Sequence, residues 1–370
     1  MLRRAIEISP FSFPRDHGQH PDFRMEWWYL SGRLSSNDET DWAYHFTIFR
    51  RALERWTDLA LVGLAISSKS IRQRSFFQRA LAGMMESQDS RRISVDGYVG
   101  HLSITNICEG NYVFFERGGT SLFTIAGARS DGLDVWVKDW RLHETSGVVN
   151  VCAEREDFAV DLELVPLKPP ALHGDHGLCK KGPEPGHASY HYSLPSLLTT
   201  GTLKWSGENH HVQGRSLMDR EYGTEMLPGS VRGWDWFGLV IDNDHEVMIS
   251  VIRNADGTIA GTSSGTIALP DGSWKGFTSE RLHVEPTEFW TNPATGTQYP
   301  TSWIIAVHQM DLHLEIRAVV REHELVSATS TTVDYWEGPV RVLATMYGEQ
   351  VAGHGHVELV GYAQSVGGKF

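Results

Sequence analysis

"EWWYLSGRLSSNDETDWAYHFTIFRR", residues 26–51, and "GWDWFGLVIDNDHEVMISVIRN", residues 233–254, follow one plan. Each sets an acid among aromatic rings, runs through a strand-like stretch, turns on acidic residues and closes a second strand on arginine. Later segments repeat the likeness: "HYSLPSLLTTGTLKWSGENHHVQGRSLMDREYG" (191–223) parallels "DYWEGPVRVLATMYGEQVAGHGHVELVGY" (334–362). Both read as an aromatic strand, a second strand, a polar turn and a closing strand with an acid near a Tyr-Gly or Gly-Tyr pair. Self-similarity at this scale predicts two copies of one structural unit.

The unit is β. "YHFTIFR" (44–50), "LDVWVKDW" (133–140), "FAVDLELV" (158–165), "EVMISVIR" (246–253), "SWIIAVH" (302–308) and "LHLEIRAVV" (312–320) alternate apolar with polar residues, as half-buried antiparallel strands do. "SSNDET" (35–40), "DNDH" (242–245), "ADG" (255–257) and "PDG" (270–272) supply turn chemistry between such runs. Helical spacing is confined to 71–90, where Phe77, Leu81, Met84 and Met85 share a face, predicting one short helical insertion. Many short antiparallel strands close most readily into barrels, because closure removes exposed edges. A barrel of about eight to ten strands can hold one small ligand.

A chain of 370 residues favours two domains. "CKKGPEPGHAS" (179–189) is the best linker by composition, giving barrels at 1–186 and 187–370, while the repeat phasing also allows a divide as late as 230, within "TEMLPGSVRG" (224–233).

Thirteen Trp, 15 Phe and 11 Tyr give more rigid apolar surface than core filling demands, and favour an aromatic-lined pocket. A net charge of −13, with no Lys/Arg cluster larger than pairs such as Arg50-Arg51, Arg91-Arg92 and Lys180-Lys181, argues against nucleic acid as a partner. Cys108, Cys152 and Cys179 form neither a disulfide framework nor a CxxC motif. Glu7 and Pro10 interrupt what would be the apolar part of a signal peptide, and the longest apolar run, "LALVGLAISS" (59–68), is about half of the ~20 residues a membrane span needs. A cytoplasmic protein without a membrane span is expected.

"PDFRMEWWYLSGRL", "MDREYG" and "GWDWF" in combination, supported by "LKPPALHGDHGLCKKG", "ASYHYSLP", "NPATGTQYPTSW", "YWEGPVRV" and "HVELVGY", resemble the family of hydroxyneurosporene synthase (carotenoid 1,2-hydratase) and AttH-like proteins over nearly the whole chain. The resemblance implies two lipocalin-like antiparallel β-barrels. It also implies one of two activities: cyclisation of a polyene or polyketide in natural-product biosynthesis, by [4+2] or proton-initiated closure, or hydration of a prenyl or carotenoid alkene. A non-catalytic carrier of apolar ligands is the competing class, since fold does not settle function.

Protonating a trisubstituted alkene makes a tertiary carbocation, so the chemistry needs a protonated acid in an apolar surround and π-faces for the cation. Glu26, Asp219, Glu221, Asp235 and Glu337 are acids among aromatics. Glu26 and Asp235 recur in both halves with strand-terminal Arg50 and Arg253, and are expected to be structural ion pairs. By its place in the family motif Asp219 is the expected catalytic acid, with Tyr190 and Tyr192 in support where the hydratases have His and Trp. His191, Trp28, Trp205, Trp234, Trp236, Tyr335 and Trp336 are the expected substrate contacts, although alternation allows at most half of any such run to face one pocket. The histidine pairs follow no zinc spacing, and HExxH, P-loop and GxGxxG signatures are missing from the sequence, so no metal or cofactor is expected.

Overall fold

The computed structural model describes residues 2–53, 95–327, 330–331 and 333–369. The helix expected at 71–90 lies outside the described residues. Among them the chain is almost wholly antiparallel β-sheet. The first sheet is built from β1 (Met25–Ser36), β2 (Asp41–Leu53), β3 (Val95–Asn106), β4 (Asn111–Thr120), β5 (Ala126–Ala128), β6 (Asp134–Val137), β7 (Trp140–Thr145), β8 (Val148–Arg155), β9 (Phe158–Pro166), β10 (Ala171–Leu172), β11 (Leu178–Lys180), β12 (Ala188–Trp205) and β13 (Glu208–Gly223). Its order is β4-β3-β2-β1-β13-β12-β9-β8-β7-β6-β5, with β10 and β11 also paired to β12. The end strands β4 and β5 meet where Gly119 faces Ala126, which nearly closes a barrel.

The second sheet comprises β14 (Val231–Ile241), β15 (His245–Asn254), β16 (Ser264–Ala268), β17 (Trp274–Thr278), β18 (Leu282–Thr291), β19 (Gln298–Val307), β20 (Leu312–Ala318), β21 (Glu324–Leu325), β22 (Tyr335–Met346) and β23 (Glu349–Val360). Its order is β17-β16-β15-β14-β23-β22-β20-β19-β18, with β21 on β22. The result is a two-domain lipocalin-like fold. A divide at 186/187 would part β11 from β12, which pair directly through Leu178↔Tyr190. The chain changes sheet between Gly223 and Val231, and we propose the domain boundary there.

"LDVWVKDW" is not one strand but β6 and the turn into β7, because Lys138 takes a positive φ of 60° and reverses the chain. The acidic turns at 35–40 and 242–245 do join β1 to β2 and β14 to β15.

The pleat sorts each strand's side chains between two interiors. Trp28, Leu30 and Leu34 of β1, with Trp42, Phe46 and Ile48 of β2, fill the first barrel. Phe237, Leu239, Trp303 and Trp336 fill the second. The opposite faces are not solvated either: Tyr29, Leu217, Trp236 and Met248 form a cluster between the two barrels. Cross-junction hydrogen bonds run from the Tyr29 hydroxyl to Glu337 Oε1 (2.6 Å), between His101 Nδ1 and the Tyr335 hydroxyl (2.7 Å), and between Thr105 Oγ1 and His323 Nε2 (2.9 Å).

The acids of the opening motif hold charge at the barrel ends. Glu26 is fully buried, accepts from the His20 amide (3.0 Å) and from Arg50 (2.8 Å), and pairs with Arg220. Arg50 also bonds Asp96 (2.9 Å), and Arg220 stacks its guanidinium 3.9 Å from the Trp28 ring. Burial pushes the Glu26 carboxyl up, but Arg220, the His20 hydrogen bond and Arg50 outweigh it and hold it down at about 2. In the second half Asp235 meets Arg253 at 2.8 Å. Removing one charge from such a network strands its partners. Glu26→Gln is therefore expected to lower stability by about 3–5 kcal/mol, read as a lower urea midpoint by tryptophan fluorescence; an unchanged midpoint would refute the role of the network.

Candidate active site

Because both barrel interiors are packed with large side chains, space for a ligand lies where the two sheets turn their outer faces to each other. A cavity there has an empty volume of about 970 Å³, open solvent included. Its apolar walls include Trp27, Phe49, Trp234, Trp236, Ile252 and Val333, and its polar groups include Lys181, His191, Asp219, Glu221, Glu337 and Glu358.

Register explains how the polar groups converge. On the first sheet β1, β13 and β12 lie side by side and align Trp27, Glu221 and His191 in one row. On the second sheet β14, β23 and β22 align Trp236, Glu358 and Glu337 in the same way. The internal repeat thus presents two equivalent rows to one cavity, each with a glutamate between a tryptophan and a second ionisable group.

The first row is ionic. His191 Nε2–H donates to Asp219 Oδ2 (3.0 Å), and Ser193 donates to Asp219 Oδ1. Burial lowers the His191 pKa, but Glu221, Asp219 and hydrogen bonds to Asp219 and Cys179 reverse this and raise it to about 10. Burial pushes Asp219 up as well, and the His191 charge and hydrogen bond overcome it, leaving the carboxyl below its ordinary value. Glu221 behaves alike beside Lys181, whose Nζ lies 2.5 Å from its Oε1. Two buried ion pairs stand side by side.

A relay reaches Asp219 from behind. His173 is pushed far down by burial and is neutral. With Ser193 donating to Asp219, His173 Nε2–H must donate to Ser193 (2.6 Å), and its Nδ1 accepts from the Thr266 hydroxyl (2.9 Å) across the junction. Among the described residues His173, His191 and Asp219 are the group whose ligand atoms lie close enough, within 4.8 Å, to share a cation. Both His173 nitrogens and both Asp219 oxygens already have hydrogen-bond partners, which suits a proton network better than an open metal site.

The second row differs. Glu337 accepts the Tyr29 hydrogen bond, and His45 Nδ1 stands 3.6 Å away. His45 is pushed far below its ordinary pKa by burial and offers no positive charge. Burial and Glu358 raise Glu337 well above the usual carboxyl range. Burial and Glu221 raise Glu358 to about 8, against a Trp234 hydrogen bond and Lys181.

Of the residues expected from sequence, Asp219, His191, Trp234, Trp236 and Tyr335 line this cavity. Tyr190 and Tyr192 do not, because they flank His191 on β12 and the pleat turns them to the other face. The Tyr192 hydroxyl meets His17 Nδ1 (2.6 Å) and the Tyr190 hydroxyl donates to the Glu7 carbonyl (2.7 Å). Trp28 lies in the first barrel and donates to the His17 carbonyl (2.9 Å). Trp336 lies in the second barrel and donates to the Arg321 carbonyl (2.7 Å). Trp205 packs on Trp42 and Phe158, away from the cavity. Glu358, Lys181 and the relay through His173 were not legible as site residues. Glu358 could have been found by aligning the two halves, which sets it opposite Glu221.

A smaller chamber, about 300 Å³ of empty space with open solvent included, adjoins the first, sharing Asp219 and Trp236 with it. Its lining adds His173, Ser193, Thr266 and Glu246. Gly238 lies beneath the Trp236 ring, where any side chain would collide with the indole and with Leu217.

Fold and site together define a double lipocalin-like protein with an acid–base cavity at the junction of its barrels. The chain belongs to the AttH-like family, whose model matches residues 4–62 and 68–362. It is similar to the crystal structure of an AttH-like protein from Nitrosomonas europaea, at 26% identity and a TM-score of 0.80, covering 98% of this chain and 100% of the other. Kievitone hydratase from Nectria haematococca shares the fold at 15% identity and a TM-score of 0.68, covering 98% and 97%. CghA does so at 11% identity and a TM-score of 0.54, covering 99% and 97%. No curated protein sequence matches the chain.

The geometry carries two expectations. Trp236→Ala is expected to weaken binding of a fluorescent polyene fatty acid at least tenfold, about 1.4 kcal/mol, whereas Tyr192→Phe leaves it within a few fold. His191, with a folded pKa of about 10 against an ordinary 6.5, stabilises fully below about 6.5 and loses that stabilisation as pH rises through about 10. The urea midpoint should therefore fall from pH 7 to pH 10, and fall less steeply in His191→Gln.

Proposed function

We propose that this protein adds water to, or removes it from, a carbon–carbon double bond of a hydrophobic substrate such as a prenyl or terpenoid chain, using only its own side chains. The observation that carries this reading is the ionised Asp219–His191 pair set in an aromatic cavity beside a hydroxyl-lined chamber. Protonation of a trisubstituted alkene places positive charge on the tertiary carbon. The faces of Trp27, Trp234 and Trp236 and the fixed charge of Asp219 stabilise that centre, and in a water-poor cavity both effects are stronger than in bulk solvent.

Capture of the cation needs one positioned water. The smaller chamber, with Ser193, Thr266 and His173 along it, is the place to hold it, directly behind Asp219. Asp219 is held ionised, so it acts as counter-charge and proton acceptor rather than as the donor that the sequence motif suggests. The structural likeness to kievitone hydratase shows the fold alone, and it agrees with this reading without deciding it.

Proton-initiated ring closure is the second reading. It shares the first step, and the broad apolar wall that could pre-fold a flexible chain favours it: good orientation of reacting groups lowers a barrier by up to about 7–11 kcal/mol. A panel of dimethylallyl-substituted phenols and acyclic terpenes incubated in ¹⁸O-labelled water separates the outcomes. Label in an alcohol product means hydration, an unlabelled ring means closure, and unchanged substrate that nonetheless binds means a carrier. Asp219→Asn is expected to reduce turnover about 10²–10⁴-fold while binding stays within a few fold. Full activity in that variant would remove Asp219 from the mechanism.

A further inference from the structure

Hydration needs a proton at carbon before it needs a water, and the first row has no acid strong enough to give one: Asp219 and Glu221 are ionised, and His191 holds its proton to about pH 10. The second row is built otherwise. Glu337 and Glu358 are direct cross-strand neighbours on β22 and β23, which sets their Cβ atoms about 4.5–5.5 Å apart. Both line the cavity; Glu337 is buried and Glu358 is exposed only in part. Among the described residues no lysine or arginine forms an ion pair with either carboxyl. In the equivalent row Glu221 has Lys181 and the His191 cation beside it.

We propose that Glu337 and Glu358 share one proton and deliver it to the alkene carbon, an assignment that rests on the hydratase reading above. Two adjacent carboxyls in an apolar site, neither with an ion-paired cation of its own, do not both ionise, as in any close carboxyl pair. The groups that face them reinforce this. From β1 the Tyr29 hydroxyl donates to Glu337 Oε1 and fixes that oxygen as an acceptor. From β2 the neutral His45 stands 3.6 Å away. From β13 the negative charges of Glu221 and Asp219 bear on Glu358, opposed by Lys181, and from β14 Trp234 hydrogen-bonds to it. On β23 itself His356 is pushed down to about 3 by burial and adds no charge.

The step balances. The shared O–H bond breaks and its proton forms a C–H bond with the alkene π pair, leaving a tertiary cation and a doubly ionised glutamate pair whose added charge the cation offsets. A water oxygen then donates a lone pair to the cation. One water proton leaves to Asp219 and passes from there to the glutamate pair, so the enzyme returns to its starting state with no other reactant. In the dehydration direction the same proton protonates the departing hydroxyl after transfer through Asp219.

The test combines ¹³C NMR of glutamate-labelled wild-type protein with kinetics on the same substrate panel in ordinary and deuterated water. At pH 7 one carboxyl signal of the pair should be protonated, and it should disappear in Glu337→Gln and Glu358→Gln. Each substitution should lower kcat about 10²–10⁴-fold with KM within threefold. Wild-type kcat should decline above about pH 8, as the pair ionises, a dependence that a packing role would not produce, and product from deuterated water should carry one carbon-bound deuterium, as protonation of the alkene by any exchangeable acid requires. Two ionised glutamates in an active wild-type enzyme overturn the donor assignment alone, and this needs no variant to fold. A wild-type protein that converts no member of the panel overturns the hydratase reading, and the donor role with it.

Discussion

Water is kept from both faces of the strands at the centre of this molecule. One face of β1, β2, β13 and β14 closes a barrel, and the other is pressed toward the second barrel. A charged side chain on either face therefore has to find a partner or give up its charge, since an isolated buried ion costs several kcal/mol even after relaxation. The three solutions seen here follow from the partners available. Glu26 has two arginines and stays ionised at a barrel end. Asp219 and Glu221 have His191 and Lys181 and stay ionised at the cavity. Glu337 and Glu358 have each other, the Tyr29 hydroxyl, Trp234 and neutral histidines, and among the described residues neither forms an ion pair with a lysine or arginine.

The duplication turns this constraint into a site. Two copies of a Trp–Glu–X row face one cavity, and X is His191 in one copy and Glu337 in the other. That difference, together with Lys181 beside Glu221, sets the charge state of the glutamate in each row, so that one wall carries fixed charge and the other, on the proposed reading, a labile proton. A site of this kind cannot form inside either barrel, where Trp28, Trp42 and Trp140 on one side and Trp303 and Trp336 on the other occupy the space. The junction is also where independent copies of the row can differ without disturbing a core.

Much of the architecture was legible in the sequence, because period-two alternation and turn residues act locally. The runs 44–50, 158–165, 246–253, 302–308 and 312–320 fall within or largely on β2, β9, β15, β19 and β20. Parity at the site was not. Where a strand is buried on both faces, as in "MEWWYLSGRLSS", the apolar pattern no longer marks which side is inside. Trp27 and Trp28 look alike in sequence, yet one faces the cavity and the other fills a barrel. The same ambiguity made Tyr190 and Tyr192 attractive and left His191 between them as the residue that reaches Asp219. His173 and Lys181 come from the loop-rich stretch before β12, where no periodicity exists to place them.

On the proposed reading, hydration and proton-initiated ring closure would diverge only after the carbon is protonated, so the donor would not choose between them; access of water to the cation would. Trp236 is the partition that matters, because it belongs to both chambers and shares with Asp219 the boundary between them. Its indole lies over Gly238, a position where a Cβ atom has no room. The backbone at 238 thus fixes how closely the ring can settle against β14 where the two cavities share lining. On the proposed reading, a ring that left room for water beside Asp219 would admit a nucleophile to the face of the cation next to the carboxylate, and a ring that closed that room would leave an internal double bond or hydroxyl as the nearest nucleophile. On that reading the chemistry that follows protonation would be set by the seating of one tryptophan on one glycine, a packing property of β14 rather than a property of the acid.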